Sequence, residues 1–456
     1  MFENVISLVQ KYNVPGPRYT SYPTVPYWEQ STFDQVLWQQ KLKIRFDHSN
    51  SQHGISLYIH LPFCESLCTF CGCHKKITKK HEMEQPYILA LLKEWKLYCE
   101  LFVERPLIKE IHLGGGTPTF FSPQHLKQLI DGLLALSEVA EDHQFSFEGH
   151  PNNTSYDHLK TLFELGFRRV SFGVQDYNET VQKAIHRIQP FEHVKQVTEW
   201  AREIGYTSIS HDLVYGLPFQ YLDDVLNTID QTIQIKPDRL AFYSYAHVPW
   251  IKGNGQRGFK DHDVPRDEEK RQCYEQGKQK LLSAGYHEIG MDHFALEHDD
   301  MYQVFQAQQL HRNFMGYTVS KTEVMIGLGM SAIGDCWQGF AQNEKTLENY
   351  YARLEQNEIP VFKGHLLTEE DLKIRKHILN LMCHFETNWQ GDMDFAQRPQ
   401  VLEDLAEMQN DQLVKMSEYG LKVTEAGKPF VRNICMAFDL RLKRNKPENR
   451  IFSMTI

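Results

Sequence analysis

The chain has 456 residues, of which 41% are hydrophobic, 12% aromatic and 24% charged. This length suffices for two or three domains, and the aromatic content excludes a disordered chain. The formal net charge of −10 disfavours a general nucleic-acid binder. No apolar run reaches the ~18 residues that indicate a membrane span, and residues 1–16 lack the apolar core of a secretory signal. We therefore expect a cytoplasmic protein without membrane contact.

The first 50 residues contain turn-forming motifs such as GPRYTSYPT and little hydrophobic periodicity, so we predict an arm that packs on a larger body. From residue 55 onward, apolar strand-like segments alternate with helical segments. The predicted strands are 55–61, 108–113, 145–149, 168–175, 207–216 and 239–245. The predicted helices lie near 86–104, 122–140, 155–165, 192–205 and 222–235. Such alternation indicates a parallel sheet with right-handed crossovers, whose chemistry lies at the carboxyl ends of the strands.

The alternation weakens after about residue 250. A helix near 267–284 and the glycine-rich segment 326–335 complete the predicted barrel domain, which we assign to residues 51–360. Residues 361–456 are predicted to form a separate, mainly helical domain. Its first helix has a capping box, because Thr368 is followed three residues later by Asp371.

Four of the nine cysteines, Cys64, Cys68, Cys71 and Cys73, lie within ten residues just after the first predicted strand. Because cytosolic thiols stay reduced, such a group indicates metal ligands or catalysis. Three thiolates at this spacing can bind an iron–sulfur cluster and leave one iron without a cysteine ligand. The alternatives are structural zinc, which needs further ligands that the neighbouring sequence lacks, and a redox CxxC pair, which leaves two cysteines unexplained.

Other candidate site residues lie at predicted strand ends. The turn GGGTP at 114–118 follows the second strand, and its missing side chains would let a ligand approach the backbone. Glu148, Gln175 and Asp212 end the next three strands, and polar groups recurring at that level favour a ligand site in a barrel mouth. Tyr58 and His60 alternate on the first strand and so face the same side. Most of the 22 histidines, including His112, are expected to be ordinary hydrogen-bonded residues, and none is assigned to a metal.

The CxxxCxxC loop after the first strand resembles the hallmark of the radical S-adenosylmethionine (SAM) enzymes. The motifs GPRYTSYPT, CESLCTFCGC, GGGTPT, MDHFA, HRNFMGY and RNICMAFD, which run from residue 16 to residue 439, together resemble the oxygen-independent coproporphyrinogen III oxidases of anaerobic haem synthesis. This resemblance implies an α/β fold with an incomplete (β/α)6 barrel. It also implies the oxidative decarboxylation of two propionates of coproporphyrinogen III to vinyl groups, giving protoporphyrinogen IX.

The resemblance further implies roles for individual residues. Cys64, Cys68 and Cys71 would bind a 4Fe–4S cluster, with SAM on the open iron, while Cys73 and Tyr58 would serve catalysis. The positions that match contacts of the SAM molecules, or lie near the cluster, are Tyr58, His60, Phe70, Cys73, Gly115, Gly116, Thr117, Glu148, Gln175, Arg187, Asp212, Ala246 and Ile333. One departure is EGHPNN after Glu148, where the family has a Pro-Arg pair. The arginine's contribution would then be left unfilled, or be supplied by His150 or a residue elsewhere.

The substrate is a tetracarboxylate, so Arg18, Arg312 and Lys321 are candidate contacts because cationic groups bind carboxylates. The segment KKITKK, with Lys75, Lys76, Lys79 and Lys80, is predicted to dock an acidic electron donor of flavodoxin or ferredoxin type. We expect a monomer. Two alternatives stay open, a haem-binding chaperone and a methylating haem-opening radical SAM enzyme. Cys73 argues against both, and the GPRYTSYPT arm argues against the chaperone.

Overall fold

The computed structural model describes residues 8–249, 255–256, 258–392, 398–447, 449 and 451–455. Residues 1–7 of the predicted arm lie outside this set. In chain order the strands are β1 (Ile55–Leu61), β2 (Phe63–Cys64), β3 (Lys76–Ile77), β4 (Leu107–Gly115), β5 (Glu138–Gly149), β6 (Phe167–Gln175), β7 (Ser208–Tyr215), β8 (Arg239–Ser244), β9 (His287–Gly290), β10 (His293–Ala295), β11 (His311–Asn313), β12 (Gly316–Thr318), β13 (Met325–Leu328), β14 (Ile333–Asp335), β15 (Gly339–Asn343), β16 (Val361–Leu366), β17 (Glu386–Asn388), β18 (Val414–Met416) and β19 (Gly420–Val423).

The helices connect and cover these strands. They are α1 (Gln35–His53), α2 (Glu84–Cys99), α3 (Pro123–Leu134), α4 (Tyr156–Glu164), α5 (Glu179–Ala184), α6 (Phe191–Ile204), α7 (Leu222–Ile235), α8 (Asp267–Ser283), α9 (Asp300–Gln306), α10 (Leu347–Glu355), α11 (Glu369–His384), α12 (Pro399–Asn410), α13 (Val431–Phe438) and α14 (Leu440–Arg444). No helix among the described residues is both long and apolar enough to cross a bilayer.

Twelve strands form one sheet in the order β16-β15-β14-β13-β1-β4-β5-β6-β7-β8-β10-β9. The six strands from β1 through β4–β8 are parallel neighbours in chain order, which confirms the predicted parallel sheet. β13 adds a seventh parallel strand beside β1, and antiparallel strands extend both edges. Within the described ranges the outer edges of β9 and β16 stay unpaired, so the barrel is incomplete, as expected.

Local sequence explains α3, the helix between β4 and β5. The Ser122 hydroxyl caps it by accepting from the His125 amide, Pro123 occupies its first turn, and the buried residues lie three or four apart. The helix ends at Leu134, so the prediction of helix to residue 140 is wrong. Residues from Glu138 onward pair with the start of β4 instead, because Glu138 lies opposite Leu107.

The arm predicted for residues 1–50 contains the helix α1, which its low hydrophobic periodicity does not indicate. Asp34 caps this helix by accepting from the amides of Val36 and Leu37. Trp38, Leu42 and Phe46 recur every four residues and are buried in the barrel core. Because polar residues lie between them, the apolar stripe is narrow and gives the helix little overall hydrophobic periodicity. The helix also crosses the predicted boundary at residue 50.

The carboxyl-terminal part contains helices α11–α14 and the three-stranded sheet β17-β19-β18. Its core includes Leu381, Leu405, Ile434 and Phe438, and Tyr12, Tyr19 and Tyr22 of the arm pack into the same core. β16 pairs with β15, so residues 361–366 continue the barrel sheet although we predicted them to start the last domain. The α/β barrel with a mainly helical carboxyl-terminal region is confirmed, while the division into three domains stays a prediction.

Because α1 anchors the arm to the barrel, Phe46→Ala should be strongly destabilising. The Phe46 ring is fully buried and stacks on Phe102 with 3.7 Å between ring centroids. We expect a loss of about 3–5 kcal/mol in the free energy of unfolding, measured by chemical denaturation. Ile44→Ala on the same helix is the control, because Ile44 is 65% exposed, and its effect should stay below about 0.5 kcal/mol. Equal effects of the two substitutions would contradict the packing of α1.

Candidate functional site

The cysteine loop is held at the carboxyl end of β1 by backbone pairing. Cys64 lies on β2, which pairs in parallel with β3, and the Thr78 amide donates to the Cys64 carbonyl at 2.9 Å. Two other elements contact the cysteine sulfurs. The Thr117 hydroxyl donates to the Cys64 Sγ at 3.3 Å, and Arg187 Nη1 lies 3.7 Å from the Cys68 Sγ. The loop, the glycine turn and the segment after α5 therefore meet at this point.

The thiols of this loop differ in acidity. A hydrogen bond from the Cys73 side chain lowers the pKa of Cys71 to about 6, whereas burial raises the pKa of Cys64 to about 11. No three His, Cys, Asp or Glu side chains of the described chain group closely enough to share one metal ion. The donor set is three thiols of a single loop, which fits an iron–sulfur cluster because each cysteine then binds a different iron.

The strand register places a row of polar side chains inside the barrel. His112 lies opposite Tyr58 on one side and Ser146 on the other, and Ser146 lies opposite Arg169. Arg169 Nη2 donates to the Ser146 hydroxyl at 3.3 Å, and His112 Nδ1 lies 2.8 Å from that hydroxyl. His112 Nε2 lies 3.3 Å from Glu148 Oε1. Because a carboxylate accepts, His112 donates through Nε2, and its Nδ1 accepts from Ser146.

This row keeps Glu148 ionised and open to a ligand. Burial acts to raise its pKa, but hydrogen bonds from His112 and the Gly115 amide, with the electrostatic effect of His112 and His60, together outweigh burial and bring the pKa of Glu148 below its ordinary value. Its side chain is 46% exposed although it stands on an inner strand, so it faces open space in the barrel mouth. A carboxylate in this state can accept hydrogen bonds from a cationic ligand.

Tyr58 and His60 face the same side of β1, as the alternation predicted. His60 Nε2 donates to the His74 carbonyl at 2.7 Å, and the Tyr58 hydroxyl lies 3.0 Å from His60 Nδ1. Burial lowers the pKa of His60 to about 4, so the ring is neutral at pH 7 and its Nδ1 accepts from Tyr58. The orientation of Tyr58 is therefore tied to the end of the cysteine loop.

The glycine turn lies too close to β1 and the cysteine loop to carry side chains. Gly115 has φ +109°, and a Cβ there would lie 2.7 Å from the His60 ring. A Cβ on Gly116 would lie 2.6 Å from the Pro62 carbonyl oxygen. The Gly116 and Thr117 amides donate to the carbonyls of Leu61 and Phe63, which fixes the turn against the loop.

Arg187, Gln175 and Asp212 lie on neighbouring strands and their connections. Arg187 Nη2 donates to the Gly173 carbonyl at 2.7 Å, and Gln175 ends β6 with φ +70°. Asp212 lies three residues before the end of β7 and accepts from the Ser171 hydroxyl at 2.9 Å. Burial raises the pKa of Asp212 to about 7 despite that hydrogen bond.

The apolar candidates fall into two places. Gln256 joins Phe70 and Ala246, because its Nε2 lies 3.5 Å from the Phe70 carbonyl oxygen and 3.1 Å from that of Ala246. Ile333 lies apart from them on β14, in an apolar cluster with Trp28 and Phe340. Its backbone adjoins Gly327, which pairs with Tyr58, so it is two strands from the inner row.

The structure brings two of the three predicted substrate cations together and places the third elsewhere. Arg312 Nη2 lies 3.5 Å from the Arg18 carbonyl oxygen, and Arg18 contacts Asp292 at 3.4 Å. Lys321 instead lines a groove with Leu107 and Lys109 at the start of β4, the strand end opposite the cysteine loop. The prediction that Lys321 lies near the site is therefore wrong. Sequence order alone does not show which end of the barrel its loop approaches.

His150 does not supply the charge of the absent arginine. Its Nδ1 accepts from the Asn152 amide at 3.2 Å and caps a short turn. Burial and the nearby Arg187 lower the pKa of His150 to about 2, so the ring is neutral at physiological pH.

Sequence reasoning missed the residues that support Glu148. His112 was expected to be an ordinary histidine, and Ser146 and Arg169 were not singled out. The alternation of side chains along β4, β5 and β6 could have revealed them. It places each of these residues on the same side of the sheet as a candidate site residue of its own strand or of the next strand.

The incomplete barrel and the three-cysteine loop define a radical SAM protein. A sequence model of the Radical SAM superfamily matches residues 58–232. The oxygen-independent coproporphyrinogen III oxidase of Helicobacter pylori is 38% identical over 95% of this chain and 96% of its own length. That of Escherichia coli is 37% identical over 99% of this chain and 98% of its own length.

A solved structure gives the same result. It is described as "Coproporphyrinogen III oxidase (HemN) from Escherichia coli is a Radical SAM enzyme" and is similar to this chain with a TM-score of 0.89 at 34% identity, covering 96% of this chain and 99% of that one. The chain belongs to the oxygen-independent coproporphyrinogen III oxidase family.

The close approach at Gly115 can be tested through stability. Gly115→Ala adds a Cβ against His60 at a positive φ, so we expect a loss of about 1–3 kcal/mol, seen as a lower Tm of the cluster-free protein. Gly72→Ala is the control within the cysteine loop, because a Cβ there meets nothing within 4 Å. A Gly115→Ala protein as stable as Gly72→Ala would show that the turn does not press on β1.

Proposed function

We propose that the chain catalyses the oxidative decarboxylation of two propionates of coproporphyrinogen III to vinyl groups, giving protoporphyrinogen IX in anaerobic haem biosynthesis (EC 1.3.98.3). Each propionate loses a hydrogen atom from its β-carbon, then CO2 and one electron that passes to an acceptor. The observation that carries this proposal is the cysteine loop beside the Tyr58–His60 pair and the Glu148 carboxylate in a chain of this family.

We infer that Cys64, Cys68 and Cys71 hold a 4Fe–4S cluster. SAM would bind at the glycine turn and the row ending in Glu148, and the further SAM contacts named from the sequence would surround it. When bound, the two cofactors together supply a carbon-centred radical that removes a hydrogen atom from the substrate. The chain itself positions them. The ionised Glu148 can accept a hydrogen bond from the SAM amino group, and Gly115 and Gly116 let the turn pack on His60 and Pro62 without adding side chains to the site.

Two further tasks fall to the protein. Arg18 and Arg312 lie together next to the barrel mouth and can bind substrate carboxylates. The arm and the carboxyl-terminal helices share one core, so they can cover the mouth and keep water and oxygen away from the radical. We also assign a catalytic role to Cys73 and Tyr58, because Cys73 contacts a cluster ligand and Tyr58 stands on the inner row.

Cysteine variants separate the ligands from Cys73. In anaerobic assays with dithionite, SAM and coproporphyrinogen III, wild-type protein should form protoporphyrinogen IX and 5′-deoxyadenosine. Each of Cys64→Ser, Cys68→Ser and Cys71→Ser should abolish the cluster absorbance. Cys73→Ser should keep the cluster but lower product formation at least about 100-fold, measured by mass spectrometry. Cys99→Ser, remote from the loop, is the control. An intact wild-type cluster with no tetrapyrrole change would favour haem transfer, and a methylated linear product would favour the haem-opening enzyme.

The lysine segment after the cysteine loop offers a site for an electron donor. Lys76, Lys79 and Lys80 are exposed, and no carboxylate forms an ion pair with them in the part of the chain that the structure describes. Ile77 between them is 42% exposed, and β3, which carries it, pairs with the strand of Cys64. We propose that an acidic flavodoxin or ferredoxin docks here, since opposite charge speeds encounter and the backbone leads directly to a cluster ligand.

Charge reversal tests this docking. Changing Lys76, Lys79 and Lys80 together to Glu should lower the flavodoxin-supported kcat/KM at least about tenfold at low salt, and the difference should shrink as salt is added. Dithionite-driven turnover should not change. The control triple Lys43→Glu, Lys96→Glu and Lys127→Glu changes the same charge on exposed helix faces away from the loop. Equal loss in both triples would contradict a specific docking site.

We also propose a cytoplasmic monomer without nucleic-acid or membrane partners. All nine cysteines are free, which suits a reducing compartment, and one chain supplies every residue of the candidate site. The net charge of −10 opposes nucleic-acid binding.

A further inference from the structure

A cavity of about 540 Å³ lies where the arm, the rim of the barrel and the carboxyl-terminal helices meet. Arg18 lines it from the arm, and Ser244 and Ala246 line it from the end of β8. Lys270 of α8 and Lys428 before α13 close two further sides. None of the cluster, the glycine turn or the inner row accounts for this cavity.

The cavity is basic in an acidic protein. Among the described residues that line it, six are Lys or Arg and three are Asp or Glu, although the whole chain has a net charge of −10. Such a local excess of positive charge attracts an anionic ligand, and guanidinium groups suit carboxylates in particular.

The cations are gathered against their mutual repulsion. Arg432 is buried, with hydrogen bonds to the carbonyls of Pro17 and Met454, and it has no carboxylate partner among the residues that the structure describes. Burial, with Arg18 adding to it, lowers the pKa of Arg432 to about 9. An anion in the cavity would offset this repulsion.

Two cations at the rim are free to change partners. Arg266 contacts Asp261 at 3.3 Å and Lys428 contacts Glu425 at 2.8 Å, but Arg266 and both carboxylates are more than half exposed. Exposed ion pairs of this kind contribute little, so a ligand carboxylate can replace them.

The cavity adjoins the candidate active site through Arg18. The Arg18 guanidinium lies 6.0 Å from the ring centroid of Tyr243, whose hydroxyl lies 3.4 Å from His293 Nε2 inside the barrel. Ala246 belongs both to the cavity wall and to the pair that Gln256 joins to Phe70. A macrocycle in the barrel mouth would therefore extend its peripheral carboxylates into the cavity.

We propose that this cavity binds the two propionates that the reaction leaves intact, with Arg266 and Lys428 as their rim contacts. This inference rests on the proposed function. Four carboxylates enter with coproporphyrinogen III and two remain in the product, so an anchor for the retained pair would hold the reacting edge toward the cluster.

The test uses stable oxidised porphyrins and the cluster-loaded enzyme with SAM. The double variant Arg266→Gln with Lys428→Gln should weaken binding of coproporphyrin III and of protoporphyrin IX by the same factor, about tenfold, because both carry the retained propionates. Binding of protoporphyrin IX dimethyl ester should not change. The control is Lys96→Gln with Lys127→Gln, which removes two exposed charges outside the cavity and should alter none of the three.

Two results would overturn the inference: affinities of the double variant within twofold of wild type, or a loss confined to coproporphyrin III. Cluster absorbance and Tm show whether the variant is folded, and Lys428→Gln alone replaces it if it is not, with a smaller but parallel loss expected. Failure of the proposed function has a different signature, because wild-type protein would then make no protoporphyrinogen IX whatever the cavity binds.

Discussion

The register of the parallel strands is the constraint on which the whole site depends. It sets His112 opposite Tyr58 and Ser146, and it sets Glu148 opposite Ser171. Because successive side chains of a strand point to opposite faces, a slip of one residue would turn the polar row outward and the apolar core inward. The buried side chains of Leu57, Ile59 and their neighbours resist such a slip, so the hydrophobic core determines where the polar row stands.

The same register places charged side chains deep in the barrel, where they need hydrogen-bond or ion-pair partners. Glu110 accepts from Ser56 and Thr318 at the amino end of the strands, and Arg239 donates to Asp299 at 2.6 Å. A buried charge is tolerable when partners of this kind compensate for lost water. These bonds hold the interior in one arrangement, and the row that ends at Glu148 is its uppermost part. A rigid interior suits an enzyme that must direct a radical at one C–H bond.

Most of the barrel could be predicted from the sequence, since its strands are apolar runs that alternate with helical segments. α1 could not, because its buried residues are only one in four, and β16 could not, because its partner β15 is determined by tertiary packing. The site divided similarly. The cysteine spacing and the glycine turn are local signals, whereas the bonds of His112 reach residues more than 30 positions away in the chain. The placement of Lys321 at the site was wrong for the same reason, because only the three-dimensional path of its loop shows which end of the barrel it approaches.

Positive charge is concentrated in two separate regions of the molecule. The chain is acidic as a whole, yet it exposes a lysine segment on one side of the cysteine loop and encloses a basic cavity next to the opposite strands, β7 and β8. In the two proposals above, each ligand of these regions carries negative charge, an acidic electron-donor protein in one case and a small tetrapyrrole carboxylate in the other. The exposed lysine segment suits the flat surface of a protein, whereas the concave cavity suits a small molecule. Shape can therefore distinguish two ligands that charge alone would not.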